Sequence, residues 1–170
     1  MNKKSGFKII CFLLLCYVSI VFCLKNYNEK YLYSVFENIQ KCDDLNMTIY
    51  YLPPHILTDI PINKQQLINH KDTIIINVDS DKVKNALENI DQIQQYNVES
   101  KNKSKYVDAR IHYVIESKTE GVILKVTMWG SNNYGIVVND IEFKHNKLFY
   151  DIILPFVPEE IDDYLNNLIS

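Results

Sequence analysis

Tyr106-Val107-Asp108-Ala109-Arg110-Ile111-His112-Tyr113-Val114-Ile115-Glu116, then Ser117-Lys118-Thr119-Glu120-Gly121, then Val122-Ile123-Leu124-Lys125-Val126-Thr127-Met128-Trp129 is the stretch that decides the fold. Two β-branched and aromatic runs flank a polar segment ending in Gly, which is the signature of a hairpin. With Thr119 and Glu120 as the tip, Ile115 faces Leu124, Tyr113 faces Val126 and Ile111 faces Met128. These pairs make one apolar face, and a one-residue slip would turn all of it to water, so the pattern fixes the register. The opposite face then carries Asp108, Arg110, His112 and Val114 against Ser131, Trp129, Thr127 and Lys125, with Arg110 directly across from Trp129.

Outward from the hairpin, the chain supplies the rest of an antiparallel sheet. Tyr134 to Phe143 reads as the next strand and Lys147 to Tyr150 as a short further one, with turns at Ser131-Asn132-Asn133 and His145-Asn146-Lys147. Upstream, Met47 to Leu52 is β-rich and is stopped by Pro53-Pro54, and Ile74-Ile75-Ile76 within Asp72 to Asp79 reads as a buried strand. Three helices are expected. The first runs from about Glu29 to Lys41, with Leu32, Val35, Phe36 and Ile39 spaced at three and four. The second is capped by Asp79 or Ser80 and carries Val83, Ala86, Leu87, Ile90 and Ile93 as one stripe. The third opens at Pro158 with Ile161, Tyr164, Leu165 and Leu168 inward and acidic residues in its first turns. Strands clustered after a central helix indicate an α+β domain with a mainly antiparallel sheet and two to three helices.

The N-terminus has a different character. From Ile9 to Leu24 the chain has no charge, and Lys3, Lys4 and Lys8 precede this run without an acidic residue. That is the pattern of a signal peptide or signal anchor, with the N-terminus cytoplasmic and the remainder exported. At about 1.5 Å per residue the run reaches roughly 24 Å, short of the ~30 Å hydrocarbon core but extendable by snorkelling of Lys8 and Lys25. Val21-Phe22-Cys23 is a poor cleavage site, and Phe22 is too large for acylation of Cys23. Residues 1–25 are therefore read as a signal peptide or signal-anchor segment meeting the membrane through residues 9–24, and residues 26–170 as a single extracytoplasmic domain, membrane-anchored or secreted.

Composition excludes several classes. A net charge of −3 and a pI near 5.8 leave no electrostatic footprint for nucleic acid. Cys11, Cys16 and Cys23 lie in the targeting segment, so Cys42 is alone in the domain and reads as a small hydrophobe at a helix end. No Cys/His cluster has metal spacing, no P-loop, GxSxG, HExxH or dinucleotide fingerprint is present, and neither metal nor cofactor is expected. Asn46-Met47-Thr48 and Asn102-Lys103-Ser104 are glycosylation sequons only in a eukaryotic secretory route. Arg110 is the one arginine among many lysines, and the wealth of Ile, Asn and Lys is similar to that of exported proteins of low-GC bacteria. That similarity is one of composition and implies no residue roles.

The polar constellation with the most chemistry is Asp108, Arg110, His112 and Trp129. A guanidinium stacked on an indole and flanked by a carboxylate and an imidazole suits a carboxylate, phosphate or sugar ligand. The same alternation also describes the solvent face of any half-exposed hairpin. Tyr50, Tyr51, Pro53, Pro54 and His55 are an aromatic and proline cluster that reads as a packed corner. Two functions follow as expectations. The first is a non-enzymatic, membrane-tethered or secreted interaction module for a protein or cell-envelope component; the second is a small exported hydrolase using His112 with a nearby carboxylate.

Overall fold

The computed structural model describes residues 3–88, 98, 99, 108–129, 135–159, 161 and 165. Its described strands form one six-stranded sheet in which every pairing is antiparallel. In chain order the elements are α1 (Lys3–Lys41), β1 (Leu45–Tyr51), α2 (Lys64–Ile68), β2 (Ile74–Val78), α3 (Ser80–Glu88), β3 (Ala109–Ser117), β4 (Gly121–Trp129), β5 (Ile136–Val138), β6 (Ile141–Phe143) and α4 (Leu148–Asp151), with a 3₁₀ turn at Leu154–Phe156. The spatial order is β2-β1-β3-β4-β5-β6. The helices outnumber the expected two to three because α2 and α4 are each about one turn long, below the length at which periodicity shows.

One face of the sheet carries the main core. Met47, Ile49, Tyr51, Ile111, Tyr113, Ile115, Leu124, Val126 and Met128 are all buried there, as the alternation requires. Leu32, Val35, Phe36 and Ile39 of α1 cover this face beside Val83 and Leu87 of α3, and Phe149 of α4 meets Phe36 with ring centroids 6.5 Å apart. Tyr113 lies at the centre, where its hydroxyl donates to the Phe149 carbonyl at 3.1 Å; burial pushes its pKa well above the ordinary value. The expected opening helix is thus the C-terminal part of a longer one. Cys42, buried next to the end of α1, is the small hydrophobe expected, and burial first of all raises its thiol pKa.

The hairpin register holds in its interior and slips at both ends. Ile115 pairs with Leu124, Tyr113 with Val126 and Ile111 with Met128. Near the tip the pairs are Ser117 with Gly121 and Glu116 with Val122, so the loop is one residue longer than expected and Ile123 is the extra residue that restores the register. Gly121, at φ +76°, takes the left-handed position of that loop. Asp44 secures the turn by accepting from Ser117 Oγ at 2.7 Å and Thr119 N at 3.1 Å, bonds that lower its pKa with Ser117 the largest cause.

Other expectations are corrected. Tyr134 to Phe143 is not one strand: Asn139 (φ 46°) and Asp140 (φ 68°) form a tight turn between β5 and β6. Asn and Asp tolerate the left-handed region, and the Asn139 amide extends the β4 ladder by accepting from Lys125 N and donating to the Ile123 carbonyl. Lys147 to Tyr150 is not a strand but enters helix α4, since Leu148, Phe149 and Tyr150 are buried against the core over a single turn. The Ile74-Ile75-Ile76 strand is not buried: it ends the described sheet, and Ile74 and Ile75 are 41% and 53% exposed. The turn at 131–133 and the residues Ile90, Ile93, Asn102, Tyr106, Tyr164 and Leu168 lie outside the described residues, while Ile161 and Leu165 are buried as expected.

Leu87 is 4% exposed in the main core. Leu87→Ala is expected to lower unfolding free energy by about 2 to 5 kcal/mol in denaturant melts. A loss below about 0.5 kcal/mol, as at an ordinary surface position, would show that α3 is not packed on the sheet.

Candidate functional site

The second face of the sheet is polar along much of its length and closed at one end by the segment from Leu52 to Thr73. This segment leaves β1 through the buried Leu52 and Pro53, the packed corner that the aromatic and proline cluster suggested, while Pro54 and His55 are exposed. It returns through α2, whose start is fixed by a capping box: Asn63 Oδ1 accepts from Gln66 N and Gln66 Oε1 from Asn63 N, both at 2.9 Å. Leu67 then points into a small second core with Leu52, Ile62, Ala109 and Trp129.

Arg110 does not sit across from Trp129. The register shifts between Ala109 and Ile111, so Ala109 is paired with Trp129 and Arg110 is the bulged residue. The physical reason is packing: beneath the indole, the small Ala109 leaves room for Leu52, Ile62 and Leu67. Trp129 is accordingly 7% exposed and belongs to the core of this face, not to an open surface. Its Nε1 has no hydrogen-bond partner among the described residues.

Asp108 and Arg110 are brought together, but for the loop. Asp108 Oδ1 accepts from Ile62 N at 3.0 Å, and its Oδ2 accepts from Arg110 Nε at 2.7 Å. Arg110 also donates through a terminal guanidinium nitrogen to the Ile56 carbonyl at 2.7 Å. Backbone bonds from Leu52 N to the Arg110 carbonyl and from Ala109 N to the Ile62 carbonyl complete a clasp on both ends of the 52–63 segment. The Arg110 side chain is only 12% exposed, so this ion pair is partly desolvated, and one guanidinium bond holds Asp108 while a second holds the loop at Ile56.

His112 lies one pair deeper. It is 2% exposed, its Nδ1 lies 3.0 Å from Thr127 Oγ1, and its ring stacks on Tyr50 with centroids 6.1 Å apart. Burial, with smaller contributions from Lys64 and Lys125, pushes its pKa down to about 4. Among the described residues its ring meets Thr127, Tyr50 and the Val126 backbone and no carboxylate, and an imidazole that is neutral across the physiological range with so low a pKa is a weak general base. The four residues named from the sequence therefore share a neighbourhood without sharing an open site.

The structure adds one surface the sequence reading missed. An open cavity of about 320 Å³ runs beside β2, lined by Ile76, Asn77, Val78, Lys82, Pro155 and Phe156. No local pattern marks it, because the 3₁₀ turn and β2 are far apart in sequence. Among the described residues no group of three or more His, Cys, Asp or Glu side chains is placed to hold a metal ion.

Comparison with protein-family models, curated proteins and solved structures gives no match. Function therefore rests on the geometry.

Two measurements check the clasp and the buried imidazole. Arg110→Met removes the donors while keeping the apolar stem, and is expected to cost about 1 to 3 kcal/mol and to raise protease cleavage within residues 53–61; unchanged cleavage would contradict the clasp. For His112 the folded pKa of about 4 lies below the ordinary 6.5, so the unfolded chain binds more protons between these values. Its stabilising effect is complete above about pH 6.5 and is lost as the pH falls toward 4, by at most on the order of 3 kcal/mol. Burial lowers the His145 pKa as well, so the effect is read as the difference between wild type and His112→Gln in urea melts from pH 4 to 7. Parallel stability curves would show that the His112 pKa is not depressed.

Proposed function

We propose that the protein is a membrane-tethered interaction module, anchored by the N-terminal part of α1 and carrying its α+β domain on the extracytoplasmic side. The observation that supports this reading is the state of α1 before the domain. Phe12, Leu13, Leu14, Leu15, Tyr17 and Val18 are 58–67% exposed, and four consecutive helical residues point to nearly every side of the helix. Large apolar side chains exposed on nearly every side of a helix call for another apolar medium. Among the described residues no helix is long and apolar enough to cross a membrane. The anchor reading therefore joins the exposed side chains to the charge-free sequence and its flanking lysines.

The domain held in this way offers its β2 edge to a partner. Among the described residues β2 ends the sheet, and such an edge has backbone donors and acceptors that an extended polypeptide satisfies by strand addition; the cavity lined by Ile76 and Val78 supports this reading as room for an apolar side chain. Asp108, Arg110, His112 and Trp129 have no part in this proposal. The hydrolase alternative gains no support from His112, which faces Thr127.

The full-length chain is expected to float with membranes, resist alkaline carbonate and expose its C-terminal domain to external protease. Leu14→Lys combined with Val18→Lys places two charges in the apolar run, each costing about 2.5 to 3.5 kcal/mol at a helix centre, and is expected to move the protein to the soluble fraction with its fold intact by circular dichroism. A wild-type chain that stays soluble, or a double variant that still resists extraction, would overturn the anchor.

A further inference from the structure

We infer that α1 holds the domain in one orientation over the bilayer, with the Asn139-Asp140 turn against the lipid headgroups and β2 farthest from them; this rests on the anchor reading above. Three observations lead to it. First, α1 runs unbroken from Lys3 to Lys41, and between Lys25 and Lys41 the sequence has neither Gly nor Pro. The usual sources of a kink are therefore missing where the helix would leave the lipid.

Second, α1 enters the domain at the β5 side and leaves it at the β1 side. At its entry Tyr31 Oη accepts from Asn139 Nδ2 at 3.1 Å, and Leu32 is the first of its fully packed residues. At its exit, Asp43 receives Lys84 Nζ at 2.7 Å and Ser80 Oγ at 3.0 Å from α3, and Asp44 leads into β1. Since α3 directly follows β2, the helix axis crosses the sheet from β5 toward β1 and β2. The end pointing into lipid lies on the β5 side.

Third, the distances are short. From Leu24, the last residue of the charge-free run, to Tyr31 the helix rises roughly 10 Å at about 1.5 Å per residue. A headgroup layer extends about 5 to 7 Å beyond the hydrocarbon on each side. Asn139, hydrogen-bonded to Tyr31, is thus within a few ångströms of the headgroups, and Asp140 with its ion-pair partner Lys125 is beside it. β2 is four strands away from β5 by way of β4, β3 and β1, at about 4.8 Å per strand.

The test is photo-crosslinking of the full-length chain in vesicles of phosphatidylethanolamine and phosphatidylglycerol, with benzoylphenylalanine placed singly at Phe12, Asp140 or Ile75. Lipid adducts are expected at Phe12 and Asp140 and at least several-fold less at Ile75. Equal adducts at Asp140 and Ile75, with Phe12 still labelled, would overturn the orientation and leave the anchor standing. Loss of the Phe12 adduct would remove the anchor and the orientation with it. Gly-Ser-Gly-Ser inserted between Asn28 and Glu29 is expected to reduce the Asp140 adduct to the Ile75 level without changing Phe12. A persistent Asp140 adduct would show that helix continuity does not set the orientation.

Discussion

Leu32, Val35, Phe36 and Ile39 of α1, laid on the buried face of the sheet, are the contact on which the rest of the molecule depends. At roughly 1.5 to 3 kcal/mol per fully buried side chain, these four contribute more than the helix could gain from its own backbone propensity. They also do what no other described element does: the same helix continues, unbroken, into the exposed apolar residues Phe12 to Val18. The core of the domain and the proposed lipid anchor therefore share one continuous helix. Asn139 joins the two ends of this arrangement, since its amide completes the β4 ladder and reaches Tyr31 on α1.

The other face of the sheet follows a different logic. There the hairpin is closed over by the 52–73 segment, and Asp108 and Arg110 spend their charges on backbone groups at Ile62 and Ile56. A buried or half-buried ion pair of this kind replaces hydration with fixed partners. His112 is held in the neutral form by the same closure. On this face Asp108 and Arg110 fasten a loop.

Much of the fold was legible in local pattern. The interior of the β3–β4 hairpin followed from strict alternation, because any slip would expose Ile111, Tyr113 and Ile115 together. The stripes of α1 and α3 followed from spacing at three and four. The ends of the hairpin did not follow, since a bulge adds one residue without moving the apolar row and so leaves no trace in the pattern; Arg110 and Ile123 are both such residues. The place of β2 at the sheet edge was equally invisible, because an Ile-rich run looks alike at the centre and at the rim. The turn at Asn139-Asp140 had a local signal, two residues that tolerate positive φ, but the hydrophobic run around it masked the break. Of the candidate site, the sequence brought the right residues near each other and assigned them the wrong surroundings. Burial of Trp129 comes from Leu52, Ile62 and Leu67, which no pattern within the hairpin encodes.

Continuity of α1 between the proposed anchor and the core is the requirement everything else depends on. Hydrogen–deuterium exchange of the full-length chain in lipid nanodiscs measures this directly at the amides from Lys25 to Tyr31, the span between the charge-free run and the first packed turn. Helical hydrogen bonds throughout this span predict exchange slowed at least tenfold relative to an unstructured peptide, without a gap between the two protected regions. Exchange at the unstructured rate over these residues, with protection resuming at Leu32, would show a flexible tether and contradict the claim that anchor and domain share one continuous helix.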